Sequence, residues 1–272
     1  MIAGRRLRAR LAVAAIATAC AACSLVVDLS TLGSDAGVGP DAAETGAPDV
    51  IVPEASSDAS AYSFSDDFNR ADGSIGNGWV VKNPSFDLAS GHMVRDKVSS
   101  LDFLDLLVHR PTTEAVLDIH ASMVVVLSGA DGGGGSWEQI HVRIQPSTVD
   151  AIGRLDDYMM FPHGGGANSI DIGRNRITSS AYAIVTTFTL SSPMVAGAVY
   201  RFTLSATGAS PVVLFGSVER LDGPSTWTLI GSAQTQDLDP SAVTTPGVVG
   251  FSASNADLTG AYTYDDYVAT GN

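Results

Sequence analysis

Alternating apolar and polar residues, with a period of two, constrain the fold of this chain more than any other feature. In residues 113–127 one face is apolar, with Leu117, Ile119, Ala121, Met123, Val125 and Leu127. The opposite face of the same segment is polar, with Asp118, His120 and Ser122. Because successive side chains of a strand point to opposite sides, the pattern predicts a β-strand with one face in a core.

Two further segments repeat this alternation. Residues 137–145 place Ile140, Val142 and Ile144 on one face and Trp137, Gln139, His141 and Arg143 on the other. Residues 199–206 oppose Tyr200, Phe202 and Leu204 to Arg201, Thr203 and Ser205. Turns rich in glycine, proline and aspartate, such as GADGGGGS, separate these and other β-rich runs. The pattern predicts an all-β fold, an antiparallel sandwich or barrel, in one domain over residues 62–272.

The beginning of the chain has the features of an export signal. MIAGRRLRAR carries four arginines, and the apolar run LAVAAIATACAA that follows is too short to span a bilayer. Cys20 and Cys23 are the only cysteines of the chain. A cysteine after an apolar run and small residues resembles the bacterial lipoprotein motif, which implies a signal peptide over residues 1–22 and acylation of Cys23. Cys20 is the alternative acylated residue, and an ordinary cleaved signal with incidental cysteines is the alternative reading.

The composition of residues 23–61 predicts a disordered tether. They are rich in alanine, proline and aspartate, contain no lysine or arginine, and sustain no apolar period. Without the four arginines of the signal, 11 basic residues face 29 acidic ones, a net charge of −18. Such a charge argues against binding nucleic acid or adsorbing to anionic lipid, so membrane attachment is expected only through the acyl chains.

Both ends of the domain resemble a known fold family. FSDDFNRADG followed by Trp79, and GVVGFSAS followed by YTYDDYVATG, are similar to the ends of concanavalin A-like lectin/glucanase jelly rolls, which are related to laminin-G-like modules. The resemblance covers residues 62–271. It implies a jelly roll of two curved antiparallel sheets in which the first and last strands are neighbours. The superfamily includes glycosidases, lectins, adhesion modules and structural appendages.

The resemblance also implies a metal site. Related modules often hold a structural Ca²⁺ between the first and last strands, which here would bring Asp66 or Asp67 together with Asp265 or Asp266. An independent EF-hand loop is excluded, because Ala71 and Gly78 stand where such a loop needs oxygen ligands. The alternative is that one aspartate of each pair caps a turn while the other is solvated.

Catalytic motifs are weak. The glucanase branch carries two glutamates on one strand with an aspartate between them, and no E-x-D-x-E occurs here. HGGG at residues 163–166 lacks the G-x-S-x-G partner of an esterase, and the histidines have no zinc spacing. The sequence therefore favours binding over enzymatic activity.

One polar surface remains as a candidate binding site. Trp137, Gln139, His141 and Arg143 would form a shelf with Asp118 and His120 if their two strands were neighbours in the concave sheet. An aromatic ring beside planar polar groups suits a sugar. The alternative is a merely solvated sheet face.

The sequence as a whole predicts an exported lipoprotein, anchored to the bacterial cell envelope and sorted to the outer membrane. Its jelly roll would bind a glycan or another extracellular ligand without catalysis. The alternatives are a glycan-processing enzyme of glycoside hydrolase type with an unrecognised site, and a structural or adhesive envelope protein.

Overall fold

The structure is a computed structural model that describes residues 61–81, 86–95, 108–127, 136–148, 155–163, 168–178, 182–255 and 262–272. The predicted signal peptide, Cys20, Cys23 and the tether up to residue 60 lie outside these residues. Within the described part, no helix is long and apolar enough to cross a membrane.

The described residues are almost entirely strands and turns, with two short 3-10 turns at Thr112–Glu114 and Pro146–Thr148. In chain order the strands are β1 Tyr62–Asp66, β2 Gly73–Ser74, β3 Val80–Val81, β4 Phe86–Ala89, β5 His92–Arg95, β6 Val108–His109, β7 Ile119–Val126, β8 Ser136–Ile144, β9 Asp157–Pro162, β10 Ser169–Asn175, β11 Ala183–Thr189, β12 Val199–Thr207, β13 Val212–Leu221, β14 Trp227–Asp237, β15 Val248–Asn255 and β16 Tyr262–Gly271.

These strands form the two antiparallel sheets of a β-sandwich. Sheet A has the order β14-β13-β12-β7-β16-β5-β4-β2, and β1 also pairs with β16. Sheet B has the order β11-β10-β9-β8-β15-β6-β3. The all-β sandwich is confirmed, and so is the pairing of the first and last strands, in which Asp66 lies opposite Tyr267.

The core lies between the two sheets and follows the predicted alternation. From sheet A, the apolar face of β7 contributes Ile119, Ala121, Met123 and Val125, each at most 1% exposed. From sheet B, fully buried side chains of β8, β9 and β15 complete the same cluster: Ile140, Val142, Met160 and Phe251. Burial of each large apolar side chain contributes about 1.5–3 kcal/mol, so this shared core holds the sheets together.

Strand β8 departs from the predicted alternation at Arg143. A register shift lies opposite this residue, because Val248 pairs with Ile144 while Gly250 pairs with His141. Arg143 itself has a φ of 54°, in the left-handed region. The extra residue is a β-bulge, and a bulge re-aims the side chain that it carries.

The Arg143 side chain is therefore a structural group and is not exposed on a binding face. It is 0% exposed, and its guanidinium donates to the carbonyls of Leu117, Val243 and Gly208 at 2.9, 2.8 and 2.6 Å. Leu117 leads into β7 and Gly208 lies in the turn between β12 and β13, so Arg143 ties sheet B to two segments of sheet A. Burial lowers the pKa of Arg143. The three carbonyl oxygens accept hydrogen bonds from its guanidinium N–H groups.

A buried carboxylate organises the turn that follows β1. Asp66 is 4% exposed and accepts hydrogen bonds from the backbone N–H of Phe68, the Arg70 guanidinium, the Asn77 amide and the Trp79 indole. The indole bond is 2.7 Å long. Burial alone would raise the pKa of Asp66, but the donors, led by Arg70, hold that pKa below its usual value.

We expect Asp66→Asn to lower the free energy of unfolding by about 3 kcal/mol, because loss of one partner of a buried ion pair costs about 3–5 kcal/mol and Arg70 keeps 31% side-chain exposure. The folded pKa of Asp66 lies below its unfolded value. The stabilisation is therefore fully present above about pH 4 and is lost as pH falls through the folded pKa. Urea unfolding of both proteins between about pH 3 and 7 measures this difference.

Asp67→Asn is the matched control. Asp67 is exposed, and its carboxylate accepts the backbone N–H of Asn69 at 3.0 Å. We expect a loss of less than about 1 kcal/mol, typical of a local side-chain cap. Equal losses in the two variants, or a loss for Asp66→Asn that does not shrink in acid, would contradict the role assigned to Asp66.

Candidate functional site

The structure separates the residues of the predicted shelf. His120 lies on β7 of sheet A, whereas Gln139 and His141 lie on β8 of sheet B, so these strands are not neighbours. Gln139 is 7% exposed and His141 is 1% exposed. The backbone of Trp137 lies in β8, but its side chain falls outside the described part. The shelf prediction is wrong because it assumed that β7 and β8 belong to one sheet.

The outer face of sheet A offers an open polar surface instead. Hydroxyl-bearing and other polar side chains face each other across neighbouring strands, because paired residues of antiparallel strands share a face. One row pairs Thr203 with Ser122 and Ser122 with Val268. The next row pairs Ser205 with His120 and His120 with Thr270.

The first row and His120 line a groove of about 1110 Å³, which is called the sheet A groove below. Its walls come from β1, β7, β12, β13 and β16 and from the turn after β1: Ser65, Asp66, Asp67, Arg70, Asn77, His120, Ser122, Val124, Arg201, Thr203, Glu219, Asp266, Tyr267 and Val268. A second depression of about 500 Å³ continues past His120 to Asp118. His120 therefore stands where the two depressions meet.

Arg201 is held in place on the groove wall. Its guanidinium lies over the Trp227 ring, 3.9 Å from the ring centroid. Glu219, on the neighbouring strand β13, accepts from Arg201 at 3.2 Å. Because stacking and an ion pair both limit its rotation, Arg201 presents its remaining N–H groups in a fixed direction.

His120 and Asp118 are the predicted ligand residues that reach these depressions. Partial burial lowers the pKa of His120, so its imidazole is neutral near pH 7 and offers both a donor and an acceptor. Asp118 keeps 47% side-chain exposure, and its carboxylate accepts the backbone N–H of Gly208 at 2.7 Å.

Asp66, Asp67 and Asp266 of the predicted calcium site line the groove, and Asp265 precedes Asp266 on β16. Both oxygens of Asp66 already accept N–H donors, one of them on the cationic Arg70, so Asp66 does not fit a calcium ligand. Burial, and then the charges of Asp266 and Asp67, raise the pKa of Asp265. His92 Nδ1 lies 3.5 Å from the Asp265 carboxylate.

Within the described ranges, no group of three or more His, Cys, Asp or Glu side chains is arranged to hold a metal ion. Calcium binding by Asp67, Asp265 and Asp266 thus stays a prediction, with Asp66 removed from the ligand set.

Sheet B carries a different polar set on its outer face. His141 contacts Ser252 on β15 and Asp157 on β9, and all three residues are at most 2% exposed. The Ser252 hydroxyl also donates to the Gln139 carbonyl oxygen at 3.2 Å. These side chains form a closed hydrogen-bonded network, in contrast to the open groove of sheet A.

Sequence reasoning missed several groove residues. Arg201 and Thr203 were recognised as the polar face of a strand but were not assigned to a site, and Glu219 was not connected with them. The available signal was the alternation in residues 199–206, which placed Arg201, Thr203 and Ser205 on one side. What the sequence lacked was the neighbour relation between β7 and β12.

Comparison with known proteins was made at the level of sequence and of structure. No protein-family model matches the chain, and a search of curated proteins found no match. Among solved structures, the metal-free carbohydrate recognition domain of Emp46p has a TM-score of 0.50 at 12% identity, over 75% of this chain and 94% of that chain. Bacillus licheniformis β-glucanase has a TM-score of 0.48 at 12% identity, over 77% of this chain and 98% of that chain.

A third neighbour is a larger protein. The GH43 protein BlXynB from Bacillus licheniformis matches with a TM-score of 0.47 at 14% identity, over 76% of this chain. The match spans only 39% of that protein. At these identities the likeness concerns the fold alone. The two antiparallel sheets and the paired first and last strands, with the likeness to the Emp46p domain, show that the described domain has a jelly-roll β-sandwich fold, as the resemblance at its two ends implied.

Proposed function

We propose that this protein is an exported lipoprotein whose jelly roll binds a carbohydrate in the sheet A groove. The observation that carries this proposal is the cross-strand hydroxyl pair of Thr203 and Ser122 beside a neutral His120 and a clamped Arg201. Sugars are recognised by such planar arrays of donors and acceptors. The Emp46p domain, named as a carbohydrate recognition domain, has the same fold, which is compatible with the proposal.

The charges of the groove favour a neutral ligand. Arg70 is paired with Asp66 and Arg201 with Glu219. Asp67 and Asp266 remain and make the groove net acidic. Anionic ligands are repelled by such a site, whereas an uncharged sugar loses nothing.

Hydrolysis within the same groove is not favoured. A glycosidase needs one carboxylic acid with a raised pKa to protonate the leaving group. The pKa of Asp66 is instead lowered, and Glu219 is engaged with Arg201. Neither of these two carboxylates is therefore suited to the role of that acid, and the groove is proposed as a binding site.

Binding is tested on a glycan array with the soluble chain from Ser24 onward, followed by titration of the best ligand. We expect His120→Ala and Arg201→Ala each to raise Kd about tenfold, since each removes a hydrogen bond worth about 1.5 kcal/mol. Gln236→Ala is the matched control, because Gln236 is exposed on the edge strand β14 outside the groove. Equal affinity of all four proteins, or no glycan bound at all, would contradict the proposal.

Membrane attachment is proposed through acylation of Cys23, with Cys20 as the alternative site. Bacterial cells that express the full chain are labelled with a fatty-acid analogue, and its incorporation measures the modification directly. We expect Cys23→Ala to abolish labelling and Cys20→Ala to preserve it. The reverse result would move the site to Cys20, and labelling of neither would remove the anchor and leave an ordinary exported protein. Outer-membrane sorting is read from the fraction in which the labelled protein sediments.

Calcium is tested by thermal unfolding with and without added Ca²⁺. A bound cation would relieve the repulsion among Asp67, Asp265 and Asp266 and raise the Tm, as any ligand of the folded state does. Asp266→Asn should abolish this rise, while Asp87→Asn, an exposed residue on β4, should preserve it. Identical melting curves in Ca²⁺ and in chelator would reject calcium binding.

A further inference from the structure

The outer face of sheet B contains a serine, a histidine and an aspartate in hydrogen-bonded series. Ser252 Oγ lies 2.7 Å from His141 Nε2, and His141 Nδ1 is hydrogen-bonded to Asp157 Oδ2. The residues come from three adjacent strands, β15, β8 and β9. A nucleophile bound to a base, and a base bound to an orienting carboxylate, are the relations that define an activated serine on any fold.

The surroundings fix the protonation of this series. Asp157 is an acceptor, so the bond between Asp157 and Nδ1 places the imidazole proton on Nδ1 and leaves Nε2 free to accept from Ser252. Asn175 donates to the other oxygen of Asp157 at 2.8 Å and prevents the carboxylate from rotating. Ser252 thus faces a base in the tautomer that proton abstraction requires.

The fourth member of the network is Gln139, paired with Ser252 across β8 and β15. Its carboxamide lies 3.2 Å from Ser252 Oγ. The Ser252 hydroxyl has one proton, which it donates either to the Gln139 carbonyl oxygen or to His141 Nε2. Proton abstraction uses the second arrangement.

A purely structural role explains this network less well. The burial of four polar side chains is costly, and a sheet face covered by apolar residues would avoid that cost. Structural requirements would be met by any set of matched donors and acceptors. They do not require the order nucleophile, base and carboxylate.

We propose that Ser252, His141 and Asp157 form a site that hydrolyses short-chain carboxylic esters, separate from the sheet A groove. Ser252 is 2% exposed, which restricts the acyl group to a small one such as acetyl. Ser252 and His141 are the catalytic residues, and Asp157 is a positioning residue.

The proposed reaction balances without a cofactor. Ser252 Oγ attacks the carbonyl carbon while its proton passes to His141 Nε2, and the ester C–O bond then breaks as His141 protonates the departing alcohol. Water attacks the resulting acyl-serine and gives one proton to His141. The acyl–oxygen bond to Ser252 breaks, His141 returns the proton to the serine, and the acid is released.

The test uses a small fluorophosphonate, which reacts with activated serines, on the full chain, with mass spectrometry to locate the adduct. Hydrolysis of p-nitrophenyl acetate is measured in parallel. We expect an adduct on Ser252 and its loss to background in Ser252→Ala. Ser217→Ala is the matched control, because Ser217 is similarly buried, at 7% exposure, but lies in sheet A. No adduct on Ser252 of the unaltered protein overturns the proposal.

Variants of the two partners separate catalysis from structure. His141→Gln should reduce the labelling rate at least about a hundredfold, and Asp157→Asn should reduce it to a similar extent. Asp157→Glu, which keeps a carboxylate, should restore part of the labelling rate that Asp157→Asn loses. Labelling rates are compared at temperatures equally far below the Tm of each variant. If a variant fails to fold, the Ser252 adduct in the unaltered protein remains decisive. Labelling that is unchanged in a folded His141→Gln protein overturns the role of His141 as base.

The outcome is independent of the proposed sugar binding. Ser252→Ala lies in sheet B and should leave glycan affinity unchanged, while His120→Ala should leave the labelling of Ser252 unchanged.

Discussion

A single buried carboxylate holds together the first turn of this domain. Asp66 ends β1, and its oxygens bind the cation of Arg70, the amide of Asn77 and the indole N–H of Trp79. An indole buried without an acceptor would carry a free-energy cost, and Asp66 removes that cost. The turn after β1 therefore joins the carboxylate of Asp66, the guanidinium of Arg70 and the indole of Trp79, which belongs to the core. Its position determines where Trp79 enters the sandwich.

Trp79 in turn connects the two sheets. Its ring makes edge contacts with Phe64 of β1, Phe251 of β15 and Tyr267 of β16, at centroid distances of 5.2, 5.2 and 5.1 Å. Phe64 and Tyr267 belong to sheet A and Phe251 belongs to sheet B, so one side chain contacts both. Arg110 covers this cluster from outside, 3.7 Å above the Phe64 ring, while Glu114 holds its guanidinium with two oxygens. Packing and hydrogen bonding thus explain Asp66 and the aromatic residues Phe64, Trp79, Phe251 and Tyr267 near the two ends of the domain.

How much of the structure the sequence predicts depends on which faces of each strand are buried. Strand β7 was predicted correctly because only one of its faces enters the core, which leaves His120 and Ser122 outside. Strand β9, DYMMFP, shows no alternation because every residue in it is buried, and no strand was predicted there. The residues of β8 were predicted as a strand, but both of its faces are covered, and the bulge at Arg143 cannot be read from the alternation. The partners of His141 are 16 and 111 positions away in the chain, so only the sheet order brings them together.

The polar residues on the outer faces of the two sheets differ in their exposure to water. On sheet A, His120, Ser122 and Arg201 remain in contact with water, so keeping them polar costs little and their hydrogen bonds remain available to a ligand. On sheet B, Gln139, His141 and Ser252 are withdrawn from water, and each must find a partner within the protein. A low local dielectric strengthens the hydrogen bonds within that network. The same fold therefore carries an open polar surface and a buried polar network on opposite sides of one core.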